Sequence, residues 1–599
     1  PSGQIHLVLR ERGEKVKRNL TITLVEPPAT VDGRLDGKLA KDIYSLLLFP
    51  PRGLPALEAV LRQQGYTDVA SIDPEYNPGT NGRLTPAQWQ RLAHSDVVGI
   101  SAITRTANQS YELADRVRAL NPRAHIVFGG PHTTALPDEA LAHGDTVVLH
   151  EGDATFPDLL ARLQDNPARP PLTDVPGLCY RAADGALCRT GERPFLTSEE
   201  LSRLPFPTFT PEVLRGMTCN VVNTSRGCPF ECEFCDVIVN FGKQFRFLDD
   251  DTTVALIRHA VSYSRKRIFF GDDIFTSNRA RIKRVLTRLL TLGVKLPRWF
   301  AQVRVESAQD RELLQLMKRA HCSTVFIGLE SINPETLKLY HKHATVEHNR
   351  QAIQNYHAAG IKVHGMFVLG SDADTVETIR ETYRFAQQMR LDTAQFFSLT
   401  TVPGPPLTQR LAQEGRVICW GQWHLFDAQH TVIMPKRMSS FELQMGVFQA
   451  STEFYSLREA FRRLFSGDHR WFNFLLRIQG RALAHQIIRD NQGYLESLEK
   501  LHHWHTYLER EAEDLSQRVR RLVSELTISL EAKRTQVKTY LQEAMKKVSE
   551  SARHLPAEYK PYASALVDRT LASLHKHLDS FLASASPAAS ETRSETLQS

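Results

Sequence analysis

The sequence has little of what marks secreted, membrane or nucleic-acid-binding proteins. Its eight cysteines in 599 residues are too few for a disulfide framework. No run of about 18 uncharged apolar residues occurs, so a membrane-spanning helix is not expected. Residues 1–20 have no apolar core behind their charges and are not expected to act as a secretion signal. We therefore predict a cytoplasmic protein without a transmembrane segment.

The charges are nearly balanced, with 74 basic against 67 acidic side chains and a net charge of +7. No basic stripe with interleaved aromatic residues is present, so nucleic acid is not predicted as a partner. No G-x-G-x-x-G follows the first strand-like run, which argues against a dinucleotide site. The small positive excess is compatible with a groove for an anionic cofactor or substrate.

Short apolar runs alternate with helical patterns over residues 21–165, behind an N-terminal extension of residues 1–20. The strand-like runs are TITLVEP, DVVGISAI, AHIVFGG and DTVVLHEG, and the helical patterns include LPALEAVLRQQG and QSYELADRVRALN. This alternation predicts a parallel sheet with helices on both faces, an α/β, doubly wound, Rossmann-like domain. Such sheets bind ligands outside the carboxyl ends of their strands.

A proline-rich linker, residues 166–215, is predicted to contain one small hairpin around Asp184-Gly185. Residues 216–430 then carry six strand-like segments: VVNTS, KRIFFGDD, RWFAQVRV, TVFIGLES, KVHGMFVLG and TAQFFSLT. Helical patterns separate most of them, which predicts a partial (β/α)6 barrel of the TIM type, with its chemistry at the carboxyl ends of the strands. Residues 431–585 are almost wholly helical in pattern, and residues 586–599 are expected to be disordered.

Three cysteines stand close together in the stretch Arg226-Gly-Cys-Pro-Phe-Glu-Cys-Glu-Phe-Cys-Asp236, directly after the first barrel strand. Thiolates suit iron–sulfur clusters, zinc and copper(I). Cys228, Cys232 and Cys235 can hold three corners of a cubane cluster and leave one iron open, since a closed cluster uses four cysteines. A structural zinc site normally has four protein ligands, and Asp236 is a weak fourth. We therefore predict a 4Fe-4S cluster, with zinc and purely structural cysteines as the alternatives.

The C-x3-C-x2-C spacing after the first strand of a β/α barrel resembles the radical S-adenosylmethionine (SAM) enzymes, over roughly residues 221–401. In that family the open iron binds the amino and carboxylate groups of SAM. One electron then cleaves the sulfonium to a 5′-deoxyadenosyl radical, which abstracts hydrogen from the substrate. The resemblance implies SAM as a second cofactor, and the protein's part is to position it and exclude water.

Further positions match the SAM-binding pattern of this family. The family's Gly-Gly-Glu motif corresponds to Phe-Gly-Asp-Asp here, so neither its second glycine nor its glutamate is kept. Arg304 is a candidate for the SAM carboxylate, and a structural ion pair with Glu306 or Glu330 is its alternative role. The resemblance implies SAM contacts at Gly271, Asp272, Asp273, Arg304, Glu330, Ser331 and Gly370.

The first domain resembles the cobalamin-binding domain of the cobalamin-dependent radical SAM subfamily. The resemblance rests on the order Gly99-Ile-Ser-Ala-Ile, Phe128-Gly-Gly-Pro-His and Glu151-Gly-Asp-Ala-Thr-Phe. The D-x-H-x-x-G motif, whose histidine binds cobalt in cobalamin mutases, is absent. A degenerate scaffold domain is the alternative, and a loop cap is the alternative role for the histidine. The implied cobalamin contacts are Ser101, Gly129, Gly130, His132, Glu151 and Gly152.

These resemblances imply a methyltransferase that moves a methyl group from methylcobalamin to an unactivated carbon. A cyclase on the same scaffold is one alternative. Another is a non-catalytic protein that binds a partner and uses its cluster to sense redox state or cobalamin. The expected partners are a small-molecule substrate and an electron donor such as flavodoxin or ferredoxin. The helical tail alone suggests an apolar substrate. The sequence predicts neither the catalytic residues nor the oligomeric state.

Overall fold

The structure is a computed structural model that describes residues 19–40, 48–165, 172–465 and 471–504, with residues 506, 510, 517, 539 and 546 beyond them. The expected disordered tail, residues 1–18 of the N-terminal extension and most of the helical run after residue 504 lie outside the described residues. The described ranges contain two sheet-based regions followed by a group of helices.

The first region is built on a seven-stranded sheet with the order β2-β1-β3-β4-β5-β6-β7. Its strands are β1 (Ile22–Val25), β2 (Val69–Ile72), β3 (Val97–Ser101), β4 (His125–Gly129), β5 (Thr146–Val148), β6 (Leu178–Arg181) and β7 (Leu187–Arg189). Strands β1 to β5 pair in parallel, which confirms the doubly wound α/β prediction. The hairpin predicted in the linker forms β6 and β7, and it pairs antiparallel with β5.

Helices cover both faces of this sheet, because its strands are apolar on both sides. The helices of the region are α1 (Gly53–Gln63), α2 (Pro86–Ala93), α3 (Ala107–Leu120), α4 (Pro131–Ala135), α5 (Pro137–Ala140) and α6 (Gly152–Asp165). Leu61 of α1 and Leu159 of α6 share one core with Leu24. Leu92 of α2 and Leu113 of α3 share the other core with strand residues of the opposite face.

The second region contains six parallel strands in the order β15-β14-β13-β12-β11-β8, which confirms the predicted partial barrel. Its strands are β8 (Cys219–Val222), β11 (Arg267–Phe270), β12 (Trp299–Val303), β13 (Cys322–Glu330), β14 (Lys362–Leu369) and β15 (Thr393–Ser398), and the short β9 (Ser225–Arg226) and β10 (Arg246–Phe247) form a separate antiparallel pair. Phe269, Phe300 and Phe326 lie on the same side of successive strands and pack together.

The helices of the linker, the barrel and the C-terminal region follow in chain order. They are α7 (Ser198–Arg203), α8 (Pro211–Gly216), α9 (Val237–Phe241), α10 (Asp250–Tyr263), α11 (Arg279–Thr291), α12 (Arg311–Arg319), α13 (Pro334–Leu339), α14 (Val346–Ala358), α15 (Val376–Gln388), α16 (Pro406–Gln413), α17 (Ser440–Phe454), α18 (Leu457–Phe465) and α19 (Trp471–Asp490). Helix α17 packs on α15 and β15. Residues 492–504 are also helical, so the described part of the C-terminal region is helical as predicted.

Within the described ranges, no helix combines the length and the hydropathy that a membrane crossing requires.

The open edge of the barrel at β8 is covered by the chain that enters α1. The backbone N–H of Leu48 donates to Thr218 Oγ1 at 2.8 Å, and the N–H of Thr218 donates to the Leu48 carbonyl at 3.2 Å. The ring of Phe49 packs against Phe269, with 5.1 Å between centroids. The first region therefore closes part of the barrel interior from the side.

Candidate functional site

The three-cysteine loop leaves the barrel sheet at its carboxyl edge and turns sharply before the first cysteine. Gly227 has a φ of +83°, and a Cβ there would stand 2.2 Å from the carbonyl oxygen of Gln244, so only glycine fits. The N–H of Cys228 donates to the carbonyl of Gly242 at 3.3 Å, and that of Cys235 donates to Cys232 at 3.0 Å. All three thiols are free of disulfides.

The loop brings the three thiols into one electrostatic environment. Burial raises the pKa of each thiol, that of Cys235 to about 12. Cys232 and Asp273 also raise the pKa of both Cys228 and Cys235. In the described part of the chain no three potential ligands converge as a site for a single metal ion. A cubane cluster binds each thiolate through a different iron atom, so three cysteines can hold it without converging on one metal ion.

The remaining cysteines lie elsewhere in the described structure. Cys219 and Cys322 begin β8 and β13, at the end of the barrel sheet opposite the loop. Cys179 and Cys188 are in the β6–β7 hairpin, and Cys419 follows α16. This donor set fits a cluster held by three cysteines with one iron available to another ligand.

Arg304, at the end of β12, is held against the cysteine loop. Its guanidinium carbon lies 3.8 Å from the centroid of the Phe230 ring. It also pairs with Glu306 at 2.8 Å, which is one of the two partners considered for its structural role. The Arg304 side chain is mostly buried, and its charge lowers the pKa of Glu306 against the effect of burial. Arg304 is thus a cation fixed beside the loop that carries the cluster ligands.

The two aspartates that follow β11, Asp272 and Asp273, have different environments. Oδ1 of Asp272 accepts hydrogen bonds from the backbone N–H and the hydroxyl of Thr224, at 2.9 and 3.0 Å, and from the Ser225 hydroxyl. Its Oδ2 is buried without a partner. Burial and the neighbouring Asp272 raise the pKa of Asp273 to about 7. Asp272 therefore secures the chain that leads to the cysteines, whereas Asp273 faces a cavity together with Gly271.

Glu330 ends β13 with a left-handed backbone, φ +59°, where the pairing of β13 with β14 shifts register. Its carboxylate is 2.7 Å from the ammonium of Lys342, and both side chains are nearly buried. The charge of Lys342 opposes the rise that burial causes in the pKa of Cys232. Sequence reasoning missed Lys342, because it lies twelve residues after Glu330 in a loop and belongs to no motif.

Ser331 and Gly370 shape the turns that follow β13 and β14. The Ser331 hydroxyl accepts from the N–H of Asn333 at 3.0 Å. The N–H of Gly370 donates to Asp374 Oδ2 at 3.0 Å. Both positions lie at the carboxyl edge of the barrel sheet, as expected, and their observed hydrogen bonds are local.

A cavity of about 510 Å³ lies between the carboxyl edge of the first sheet and the barrel, and we call it the interdomain cavity. Its apolar part is formed by side chains of β1, α1 and α6, such as Leu24, Leu57 and Phe156. The predicted cobalamin residues that line it are Ser101, Gly129, Gly130, Glu151 and Gly152, and Asn223, Arg226, Gly271 and Asp273 line it from the barrel side. Gly130 has a φ of +102°, and a Cβ there would stand 2.7 Å from the Ala102 carbonyl oxygen. A mainly apolar cavity at the carboxyl edge of a parallel sheet, with glycines in its wall, suits a corrin and its nucleotide tail.

His132 does not line this cavity. Its side chain is fully buried between the rings of Trp423 and Tyr111, with centroid distances of 4.8 and 6.1 Å. Glu139 is 3.9 Å from His132 Nε2 and accepts the indole N–H of Trp423 at 2.6 Å. The histidine therefore belongs to a contact between the first region and the loop after α16.

The carboxylate of Glu151 is engaged by two arginines of the barrel. It accepts from Arg226 at 3.1 Å and from Arg246 at 2.8 Å. Arg226 also binds both oxygens of Asp153, at 2.7 and 3.0 Å. Burial acts to raise the pKa of Asp153, but Arg226 overrides it and lowers that pKa. Because Arg226 precedes Cys228 by two residues, this ion-pair network joins the interdomain cavity to the cysteine loop.

The fold and the site define a class: a doubly wound cofactor domain coupled to a partial barrel with a three-cysteine loop. Comparisons with known families agree. Residues 222–386 match the radical SAM superfamily, and residues 44–160 match the B12 binding domain. The chain therefore contains a B12-binding domain followed by a radical SAM domain, the combination found in cobalamin-dependent radical SAM enzymes.

Curated relatives span most of the chain. An uncharacterised methyltransferase of Pyrococcus horikoshii is 29% identical over 68% of this chain and 88% of its own length. Bacteriochlorophyllide d C-12(1)-methyltransferase of Chlorobaculum tepidum is 25% identical over 70% of this chain and 87% of its own. The anaerobic magnesium-protoporphyrin IX monomethyl ester cyclase of Cereibacter sphaeroides is 26% identical over 69% and 68%. These relatives carry the names of enzymes, which favours catalysis over the sensor hypothesis.

Among solved structures, the cobalamin-dependent SAM radical enzyme OxsB, with aqua-cobalamin and SAM bound, covers 88% of this chain and 84% of its own. The TM-score is 0.57 at 16% sequence identity, so the likeness concerns the fold. It extends over both sheet regions and into the helical region.

Proposed function

We propose that this protein is a cobalamin-dependent radical SAM methyltransferase that methylates an unactivated carbon. The observation that carries the proposal is the interdomain cavity, because residues of the B12-binding region share it with Gly271 and Asp273 at the cysteine-loop end of the barrel. Two methyltransferases among the relatives support methyl transfer. The proposal keeps the cytoplasm as the location and flavodoxin or ferredoxin as the electron donor.

The chain's part is to hold three cofactors side by side. When bound, the cluster supplies the electron that cleaves SAM to the 5′-deoxyadenosyl radical, and methylcobalamin supplies the methyl group. Cys228, Cys232 and Cys235 would ligate the cluster and leave one iron open. Asp273 is suited to the ammonium of SAM, because a cation beside it would lower its raised pKa and favour the carboxylate, and Arg304 is suited to the carboxylate of SAM.

Charge placement at the site supports this division of roles. Glu330 and Lys342 form a nearly buried ion pair near Cys232, which leaves little net charge there.

The ring of Phe234 lies against Tyr340, 5.0 Å between centroids, and together with Phe230 it shields the loop. Exclusion of water protects a reactive radical and strengthens electrostatic contacts. We propose that these aromatic rings keep the SAM site dry.

A partial reaction tests methyl transfer without knowledge of the acceptor. The anaerobically purified protein, loaded with cluster and cobalamin, is reduced to the cob(I)alamin state and given SAM with a deuterated methyl group. We expect trideuteromethyl-cobalamin on the protein, detected by mass spectrometry after extraction. Absence of label on cobalamin, with the cluster and cobalamin intact, would contradict the methyltransferase.

A cyclase that uses both cofactors without methyl transfer is the second candidate, favoured by the similarity to the cyclase of Cereibacter sphaeroides. It predicts 5′-deoxyadenosine formation under reducing conditions, while cobalamin acquires no label from SAM. The same experiment therefore separates the two functions.

A further inference from the structure

A second cavity, of about 740 Å³, lies between the barrel sheet and helices α17 and α19, and we call it the α19 cavity. None of the residues lining it lines the interdomain cavity. It reaches Arg105 of the first region, so all three regions of the described chain contribute to its wall. Its volume lies within the range of sites for drug-sized ligands.

The walls of the α19 cavity are mainly apolar. On the sheet side, Phe326 stacks on Phe300 at 5.3 Å and contacts the His364 ring at 4.4 Å. On the helix side, the apolar lining residues are Val447, Phe448, Leu476, Leu483, Ala484, Ile487 and Ile488. His364 is a neutral wall residue, because burial lowers its pKa to about 4 and its ring nitrogens bond to Thr393 and Gln395.

Positive charge gathers at the amino-terminal end of the sheet wall. Arg267 and Lys362 are the first residues of β11 and β14, and both line the cavity. Asp392 lines the same end. It pairs with His357 at 3.1 Å and lies near Lys362, whose charge helps to lower the pKa of Asp392. Arg267 adds a further positive charge at an exposed position. The other lining carboxylate, Asp427, pairs with His430 at 2.9 Å. This end of the cavity therefore favours an anionic group.

The cavity has a direction relative to the cysteine loop. Along β15 it is lined by every residue from Thr393, the first of the strand, to Phe397, the one before its carboxyl end. With about 3.3 Å per residue, this wall is roughly 13 Å long. A ligand with its acid near the amino-terminal end would extend its apolar body toward the edge where the cysteine loop lies.

We propose that the α19 cavity binds the methyl acceptor, and that the acceptor is an elongated, mainly apolar molecule with an anionic group held near Arg267. The assignment of this ligand as the acceptor rests on the proposed function. The assignment of the cavity as a site for an apolar acid rests on its own walls and charges.

The test uses the full chain with its cluster and a fluorescent probe, dansyl-labelled undecanoic acid, beside its neutral methyl ester. Ala484 of α19 lines the cavity, whereas Ala482 of the same helix is exposed and does not. Ala484→Trp should weaken binding of both probes by about tenfold or more, and Ala482→Trp should leave both unchanged. If Ala484→Trp is unstable, Ser451→Phe fills the cavity from α17 instead and is expected to have the same effect.

The charge is tested separately. Arg267→Gln should weaken binding of the acid by about tenfold and leave the ester unchanged, since only the acid loses an ionic contact. Arg265→Gln, at an exposed position outside the cavity, is the matched control. If the acid binds equally well to the parent protein and to both cavity-filling variants, the cavity is not its binding site. If the acid and the ester bind equally well to the parent protein, the proposed anionic group of the ligand is wrong. Unlabelled cobalamin in the methyl-transfer experiment, with probe binding intact, would instead overturn the proposed function alone.

Discussion

The interdomain cavity and the α19 cavity are built from different kinds of residues. Around the interdomain cavity, Gly129, Gly130 and Gly152 leave parts of the wall without side chains, and Arg226 forms nearly buried ion pairs with Glu151 and Asp153. Around the α19 cavity, aromatic rings of the barrel face aliphatic side chains of a helix. Backbone and charge constrain a site to one ligand shape, whereas aliphatic side chains can be exchanged at small cost. We therefore expect the proposed cofactor site to tolerate fewer substitutions in its wall than the proposed acceptor site.

The largest effect is expected from replacing the cysteines of the loop, which are the predicted ligands of the cluster. Cys228→Ala, Cys232→Ala and Cys235→Ala should each lower bound iron and reduce 5′-deoxyadenosine formation by roughly a hundredfold or more, since a cluster with a lost ligand is unstable. Iron and sulfide analysis of anaerobically purified protein measures the first effect, and chromatography of the nucleoside measures the second. Cys188→Ala, in the β6–β7 hairpin, is the control and should behave like the parent protein. Unchanged iron in all three loop variants would refute the cluster.

A smaller effect is expected from the ion pairs that hold the interdomain cavity. Arg226→Ala leaves the carboxylates of Glu151 and Asp153 without their shared partner, and both are almost buried. Breaking such a pair costs about 3–5 kcal/mol in the free energy of unfolding. Urea denaturation of the cofactor-free protein measures it, and cobalamin affinity should fall as well.

The matched control for Arg226 is Arg203→Ala, which removes an exposed pair with Glu199. Surface pairs contribute about 0–1 kcal/mol, so this variant should stay close to the parent protein. Equal losses in the two variants would mean that the buried network does not hold the cavity.

The smallest effect concerns pH and the wall of the α19 cavity. The pKa of buried His364 is lowered to about 4, below its ordinary value near 6.5, so the unfolded chain binds more protons between these values. Stability from this histidine is therefore complete above pH 6.5 and is lost as pH falls toward 4. Between pH 7.5 and pH 5 the loss should be about 2 kcal/mol in the free energy of unfolding.

Urea denaturation at the two pH values, with His364→Gln beside the parent protein, isolates this contribution. The variant should show a smaller loss, because its side chain does not titrate. A parent protein and variant with the same pH dependence would show that His364 is not the responsible group.

The sequence by itself determined the features that depend on neighbouring residues, namely the strands, the helices and the cysteine loop. The six barrel strands and the doubly wound sheet follow from apolar periodicity, and the two observed sheets with parallel strands confirm both predictions. The cysteine loop was readable because its three thiols stand within eight residues. Gly129, Gly130 and Glu151 line the interdomain cavity because parallel strands end at the same edge of the sheet.

Only the tertiary structure determined which charged side chains pair and which face of each helix is buried. The pairs Lys342–Glu330 and Arg226–Asp153 join residues that no spacing relates, and they form because buried charges require compensation. His132 follows a motif of the cofactor domain, yet it packs under Trp423, some 290 residues later in the chain. Residues 431–585 were predicted only as helical, and the packing of α19 against the barrel decides that one of its faces encloses a cavity.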